Sequence, residues 1–118
     1  MGEALIIDVR HEQGHAIVTA AGEIDMSTVT RLRERLFELA ASGRPLVVDL
    51  DQVSFIDSAG LGALAGTAKR AAAHGGSVYA ACGRPKIREL FGLAGLDCRI
   101  PLARTLDEAL AAARATPG

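Results

Sequence analysis

Hydrophobic positions follow a strand-like pattern at the start of the chain. The runs Leu5 to Val9 and His15 to Ala21 predict two β-strands joined by a turn at residues 10–14. Gly14 in this turn can adopt a positive φ, as tight hairpin turns require. Gly22-Glu23-Ile24-Asp25 is predicted to close the hairpin. The chain is therefore expected to begin with an antiparallel pair of strands.

The pattern then changes to a helical period. Asp25 or Ser27 is predicted to cap this helix, and Gly43 is predicted to end it. Its apolar face is formed by Val29, Leu32, Leu36, Leu39 and Ala40. One side of the helix is therefore expected to pack on the strands.

From residue 46 onward, strands and helices alternate. Strands are predicted at 46–50 (continued loosely to 56), 77–82 and 98–100. Helices are predicted at 58–74 and 85–94, and the capping box Thr105-Leu106-Asp107-Glu108 opens a last one. An antiparallel start followed by βα units predicts an α/β fold, with a mixed β-sheet and helices packed on it.

Composition and charge narrow the class of protein. The 118 residues suffice for one domain, and 49% hydrophobic content with only 3% aromatic residues predicts an aliphatic core. A net charge of −1 without runs of like charge argues against nucleic acid as a partner. The sequence shows no secretory signal and no apolar run near the roughly 20 residues that span a bilayer. We therefore expect a cytoplasmic protein without membrane contact, in which Cys82 and Cys98 are reduced core residues.

Ser58 is the candidate functional residue, because it lies where an apolar strand gives way to a helix rich in small residues. Unpaired N–H groups and the positive end of a helix dipole suit a phosphate there, either bound or carried on the serine. Ser58, Gly62 and Lys69 share one flank of the predicted helix, with Gly66 beside them. This flank predicts a smooth strip that can receive another molecule. The predicted inward stripe is Leu61, Leu64, Ala65, Ala68 and Ala72.

Several interpretations of this helix compete. The glycines can serve tight packing, with Ser58 as an ordinary N-cap. The segment 60–65 also fits the dinucleotide-binding pattern G-x-G-x-x-A, but Cys82-Gly83 stands where an acidic residue is required. A nucleophile elbow requires glycine where Ile56 stands, and His74 lies roughly 24 Å along the same helix. The remaining interpretation is that Ser58 is phosphorylated by a partner kinase.

Three segments carry a resemblance to a known family. Ile56 to Gly62, preceded by the strand Val47 to Leu50, resembles the signature of the STAS-domain anti-sigma factor antagonists. Gly22 to Asp25 resembles their other recurring motif, and Lys86 to Phe91 followed by Gly95-Leu96 resembles their late helix. The likeness runs in order over nearly the whole chain and implies a single STAS domain over residues 1–118.

The resemblance implies a partner-switching mechanism without enzymatic activity. The unphosphorylated protein binds an anti-sigma factor, usually a serine kinase that holds ATP, and frees the sigma factor. Phosphorylation of Ser58 then dissociates the complex, and a phosphoserine phosphatase restores the unphosphorylated protein. The resemblance therefore implies that this chain itself needs no cofactor or metal. Family members often carry a second hydroxyl residue where Ala59 stands, which leaves Ser58 as the acceptor. The residues expected at the partner surface are Glu23, Asp25, Asp57, Ser58, Ala59, Gly60, Gly62, Gly66 and Lys69.

Other functions stay open from the sequence. The chain can be a STAS subunit of a transport or stress-sensing assembly, in which Ser58 need not be modified. It can also be a small nucleotide-binding protein that uses the start of the Ser58 helix. Asp49 and Asp51 suggest a metal site, although without further ligands they fit turn and strand-end positions better.

Overall fold

The computed structural model describes residues 4–115 and arranges them around a five-stranded β-sheet. In chain order the strands are β1 (Ile6–Glu12), β2 (His15–Ile24), β3 (Leu46–Ile56), β4 (Val78–Ala81) and β5 (Leu102–Ala103). Their order in space is the same, from β1 at one edge to β5 at the other. β1 runs antiparallel to β2, and all later neighbours are parallel. The prediction of a mixed α/β sheet that starts with a hairpin is confirmed.

Helices cover both faces of the sheet. They are α1 (Val29–Ala40), α2 (Ser58–Ala73), α3 (Pro85–Leu93) and α4 (Leu106–Ala115). The main core joins α1, α2 and α3 to one face of the sheet, because right-handed crossovers that advance in one direction place their helices on the same side. α4 packs on the opposite face over a smaller cluster: Ile17, Val47, Ala81, Ala109, Leu110 and Ala113. No helix within the described part of the chain has the length and apolar character needed to cross a membrane.

The position of β3 in the middle of the sheet explains why its first residues form a nearly continuous apolar run. Leu46 and Val48 are buried toward the main core, while Val47 between them is buried against the α4 side. A parallel strand covered on both faces needs apolar residues at successive positions. β4 pairs only with residues 46–49 of β3, so the later residues of β3 extend past it.

The hairpin prediction is confirmed, but its boundaries were wrong. The turn consists of Gln13 and Gly14, with φ values of 23° and 90°, whereas residues 10–12 belong to β1. β2 continues to Ile24, so Gly22 to Asp25 does not close the hairpin. The reason is that β2 has a second neighbour, β3, which pairs with it as far as Ile24 opposite Ile56.

Asp25 closes the turn before α1 and does not cap the helix. The N-cap is Thr28, which makes no side-chain capping hydrogen bond. Oδ1 of Asp25 accepts hydrogen bonds from the N–H groups of Ser27 (2.9 Å) and Thr28 (3.2 Å). The prediction that Asp25 or Ser27 caps α1 was wrong, because β2 extends further than expected and a turn separates it from the helix.

The prediction of a strand at residues 98–100 was also wrong. Leu96–Cys98 forms a 3-10 helix after Gly95, whose φ is 68°, and the strand lies further on at β5. Ile100 is fully buried, so it was apolar for packing and not for strand pairing. The capping box of α4 is confirmed on one side, since the N–H of Glu108 donates to Oγ1 of Thr105 at 3.2 Å. The Glu108 carboxylate accepts from the N–H of Arg104.

The two cysteines differ in environment and are expected to differ in reactivity. Both are free, but Cys82 is buried and Cys98 is exposed, so the expectation that both lie in the core was wrong for Cys98. Burial raises the pKa of the Cys82 thiol, which disfavours the reactive thiolate.

At pH 8 we expect iodoacetamide to modify Cys98 alone in the folded protein and both cysteines in denaturant. Intact-mass spectrometry measures this, with Cys98→Ser as control; modification of folded Cys98→Ser would contradict it.

Candidate functional site

The start of α2 lies where β2 and β3 end side by side. Because these strands are parallel, their carboxyl ends meet at one edge of the sheet. Ile24 pairs with Ile56, and the N–H of Asp57 donates to the carbonyl of Ile24 at 3.1 Å. Glu23 and Asp25 from one strand end are therefore brought next to Asp57 and Ser58 from the other.

Asp57 is the N-cap of α2, and Ser58 is the first helical residue. Asp57 Oδ1 accepts hydrogen bonds from the N–H groups of Ala59 (2.9 Å) and Gly60 (3.2 Å). The interpretation of Ser58 as the N-cap was therefore wrong. The Ser58 side chain is exposed, and its hydroxyl has no hydrogen-bond partner among residues 4–115. The capping energy, typically about 1 kcal/mol, comes from Asp57, so the hydroxyl of Ser58 is available for another role.

The three glycines of α2 have different surroundings. Gly60 is buried, and a Cβ there would come within 2.6 Å of Ile56 and 2.7 Å of Ile24. Gly66 packs against the Phe37 ring of α1, which a Cβ would meet at 3.0 Å. Gly62 is exposed, with nothing within 4 Å of a Cβ added there. The open strip beside Ser58 therefore consists of Gly62 on the surface, whereas Gly60 and Gly66 support it from within; Ala59 is half-buried and Lys69 is exposed.

The predicted inward face of α2 is confirmed in part, since Leu64 is buried and Leu61, Ala65 and Ala68 pack against the main core. The buried residues of α2 are Gly60, Ala63, Leu64, Thr67 and Ala71. Ala72, expected inside, is exposed, and Leu61 is half-buried at the margin. The hydrophobic pattern did not indicate that Gly60 and Thr67 are buried, because glycine has no side chain and threonine is polar. The Thr67 hydroxyl donates to the carbonyl of Ala63 at 2.7 Å, which satisfies it inside the core.

Carboxylates border Ser58 on the side of β2. Hydrogen bonds from the Ser27 hydroxyl and N–H lower the pKa of Asp25, so this group stays ionised at neutral pH. Thr28 holds the same loop in place, because its hydroxyl donates to the carbonyl of Glu23 at 2.9 Å. We call Glu23, Asp25 and Asp57 the acidic rim. A phosphate on Ser58 would therefore add negative charge to a region that already carries it.

Sequence reasoning missed two exposed hydrophobic residues beside the acidic rim. Met26 is 81% exposed and Phe55 is 48% exposed. Phe55 pairs with Glu23 between β2 and β3, and Met26 follows Asp25 directly. Aromatic residues and methionine are enriched in protein–protein interfaces. A usable signal was present, since Phe55 is one of only three phenylalanines and stands three residues before Ser58.

Among residues 4–115, the histidines lie far from Ser58, and His11 pairs with Ala16 near the start of β2. His15 begins β2, so it lies at the opposite end of the strand, about 30 Å away at 3.3 Å per residue. His74 follows the far end of α2, where its Nδ1 lies 2.9 Å from the carbonyl of Arg70. Asp49 and Asp51 accept hydrogen bonds from the N–H groups of Asp51 and Gly83. Within the described residues, no three His, Cys, Asp or Glu side chains are grouped to hold a metal ion.

Comparisons with known proteins agree with this geometry. The chain is 38% identical over 90 residues to the anti-sigma-B factor antagonist of Bacillus subtilis, which covers 76% of this chain and 83% of that protein. It is 34% identical over 115 residues to the anti-sigma-F factor antagonist RsfB of Mycobacterium tuberculosis, with 95% and 92% covered. The crystal structure of an anti-sigma factor antagonist from Mycobacterium paratuberculosis matches with a TM-score of 0.86 and 35% identity, over 94% of this chain and 95% of that one. The sequence profile of the STAS domain matches residues 7–109, and the chain therefore belongs to the STAS domain family.

Proposed function

We propose that this protein is an anti-sigma factor antagonist that works by partner switching. In its unphosphorylated form it binds an anti-sigma factor that is also a serine kinase, and phosphorylation of Ser58 releases it. The relatives at 34–38% identity bear names of this function, which favours it over a subunit of a transport or stress-sensing assembly. The chain acts as a binding protein and as a kinase substrate, and ATP belongs to the kinase.

The observation that carries the proposal is the division of roles between Asp57 and Ser58. Asp57 supplies the capping hydrogen bonds of α2, and the exposed hydroxyl of Ser58 has no partner within residues 4–115. Open space at Gly62, one helical turn away, allows another protein to approach this hydroxyl closely. An acceptor serine in a kinase complex needs both properties.

The charge of a phosphate explains why the complex would dissociate. Phosphorylation adds about −1.5 to −2 charges at neutral pH. On Ser58 these charges would lie beside Asp57 and Asp25 and inside the contact area. The start of α2 offsets part of the cost within the folded protein, typically by 0.3–1 kcal/mol. In the complex, by contrast, the phosphate is desolvated against a surface that fitted a neutral hydroxyl.

The proposed partners follow from this cycle. An anti-sigma factor kinase binds the surface formed by the acidic rim, Met26, Phe55 and the start of α2. A phosphoserine phosphatase regenerates the free hydroxyl. Since the kinase uses ATP and the sigma factor acts on RNA polymerase, we propose that the cycle takes place in the cytoplasm.

Phosphorylation of Ser58 is the first expected result. The protein is incubated with ATP and each anti-sigma factor kinase encoded by its source genome, and intact mass is recorded. We expect one phosphate per chain with the cognate kinase and none on Ser58→Ala. A Ser42→Ala variant, which removes an exposed serine of the α1–β3 loop, should still be modified. Phosphate at another residue, or none with any kinase, would refute the proposal, and tight ATP binding by this protein alone would favour a nucleotide-binding function.

A further inference from the structure

An apolar groove opens at the same end of the sheet as Ser58. It has a volume of about 320 Å³ and lies between the end of β3 and the beginning of α3. Its apolar lining comes from Val53, Phe55, Ile56, Pro85, Ile87 and Leu90. Phe55 is about half exposed there, so the groove presents an aromatic side chain to solvent.

The groove exists because β3 is longer than its neighbour. β4 pairs only with residues 46–49 of β3, which leaves residues 53–56 uncovered on that side. α3 begins shortly after β4 and forms the opposite wall. The Arg88 guanidinium fixes α3 in place by donating to the carbonyls of Cys82 (2.9 Å) and Ala103 (3.2 Å). Contacts within the chain therefore hold the groove walls in place. The entropy lost by ordering them on binding is small for this reason.

The charge around the groove is positive. Arg84 and Lys86 line it, and the first turn of α3 contains no acidic residue. Arg84 donates through Nε to the carbonyl of Asp51 at 2.7 Å and forms no ion pair within residues 4–115. Lys86 Nζ lies 3.9 Å from the Glu89 carboxylate, an exposed pair of small energetic effect. The groove thus differs in sign from the acidic rim on the other side of Phe55.

We propose that this groove is the second half of the partner interface. It receives apolar side chains from a segment of the anti-sigma factor that also carries carboxylates. The inference rests on the proposed function of the Ser58 surface, and continuity supports it, since Phe55 and Ile56 line the groove and directly precede Asp57 and Ser58. A buried aromatic anchor within a polar rim is the usual arrangement of binding hot spots. The opposite charges of the two halves allow the partner only one orientation.

Variants on both walls of the groove test the inference. Dissociation constants are measured by calorimetry for the unphosphorylated protein and the kinase that modifies Ser58. We expect Phe55→Ala and Leu90→Ser each to weaken binding at least tenfold. Lys86→Glu should weaken it about fivefold, chiefly through slower association at low salt. Leu93→Ala is the matched control, because Leu93 lies in α3, is 77% exposed and does not line the groove; it should bind within twofold of the unaltered protein. Circular dichroism verifies the fold of each variant.

The outcomes separate this inference from the proposed function. If the unaltered protein binds and is phosphorylated but Leu90→Ser and Lys86→Glu bind normally, the groove proposal is wrong and the proposed function stands. If only Phe55→Ala weakens binding, Phe55 acts within the Ser58 surface and the groove is not used. If no kinase binds, both proposals fail. A co-purified apolar ligand in native mass spectra, or a dimer abolished by Phe55→Ala, would assign the groove to another occupant.

Discussion

Ser58→Asp is expected to weaken binding of the anti-sigma factor by at least 100-fold, which corresponds to about 2.7 kcal/mol. Aspartate places one negative charge at the exposed start of α2, next to the acidic rim. A like charge brought into an interface typically costs several kcal/mol, because it is desolvated without a partner. Calorimetric titration of the kinase into the unphosphorylated protein and into the Ser58→Asp variant measures the difference.

The same substitution should leave the fold almost unchanged. Asp57 provides the side-chain hydrogen bonds that cap α2, and the Ser58 hydroxyl makes none with residues 4–115. A carboxylate in the first helical turn interacts favourably with the helix dipole. We therefore expect the melting temperature to change by no more than about 3 °C. Ser58→Asn is the control, since it has the size of aspartate without its charge and should lose much less affinity. Equal losses for both variants, or a large fall in melting temperature, would assign Ser58 a steric or structural role.

Two glycines of the same helix should respond to alanine with opposite signs. Gly60→Ala is expected to lower the free energy of unfolding by about 1–3 kcal/mol, as overpacking of a core usually does. The added Cβ would lie 2.6 Å from Cγ1 of Ile56 and 2.7 Å from Cγ2 of Ile24. β-Branched side chains have little freedom to rotate away. The start of α2 would then have to shift away from β2 and β3.

Gly62→Ala is the matched control for this effect. Nothing lies within 4 Å of its added Cβ, so the gain in helix propensity should stabilise the protein by about 0.5–1 kcal/mol. Urea unfolding followed by circular dichroism gives both values. A Gly60→Ala variant as stable as Gly62→Ala would mean that α2 can be displaced freely, which contradicts the close approach in the structure. Because Gly60 supports the segment that carries Ser58, we also expect Gly60→Ala to slow phosphorylation.

The fold and the position of Ser58 at the start of α2 could be predicted from the sequence because their signals are local. Apolar runs marked the early strands, and the change to helical spacing marked α1 and α2. Ser58 stood out because a strand ends two residues before it. The end of β2 could not be predicted in this way, since Ile24 is in a strand only because β3 lies beside it. Ile100 led to the wrong prediction of a strand for the same reason, because its burial depends on residues that are distant in sequence.

Details of the site depended on three-dimensional contacts that residue types do not encode. Both Asp57 and Ser58 are good N-cap residues, and only the backbone position of α2 decides that Asp57 performs this role. Gly60 and Gly62 look alike in sequence, yet one is buried and the other open. The exposure of Phe55 follows from the short length of β4, which no property of Phe55 itself indicates.

The placement of the cap on Asp57 has a kinetic consequence. A serine that held the helix end would lose this contact in every round of modification, and each round would include partial unfolding and refolding. In the proposed cycle Ser58 changes chemically, while its neighbour Asp57 holds the backbone of α2. The response time of such a switch is then set by the turnover of the kinase and the phosphatase, with no delay contributed by conformational repair.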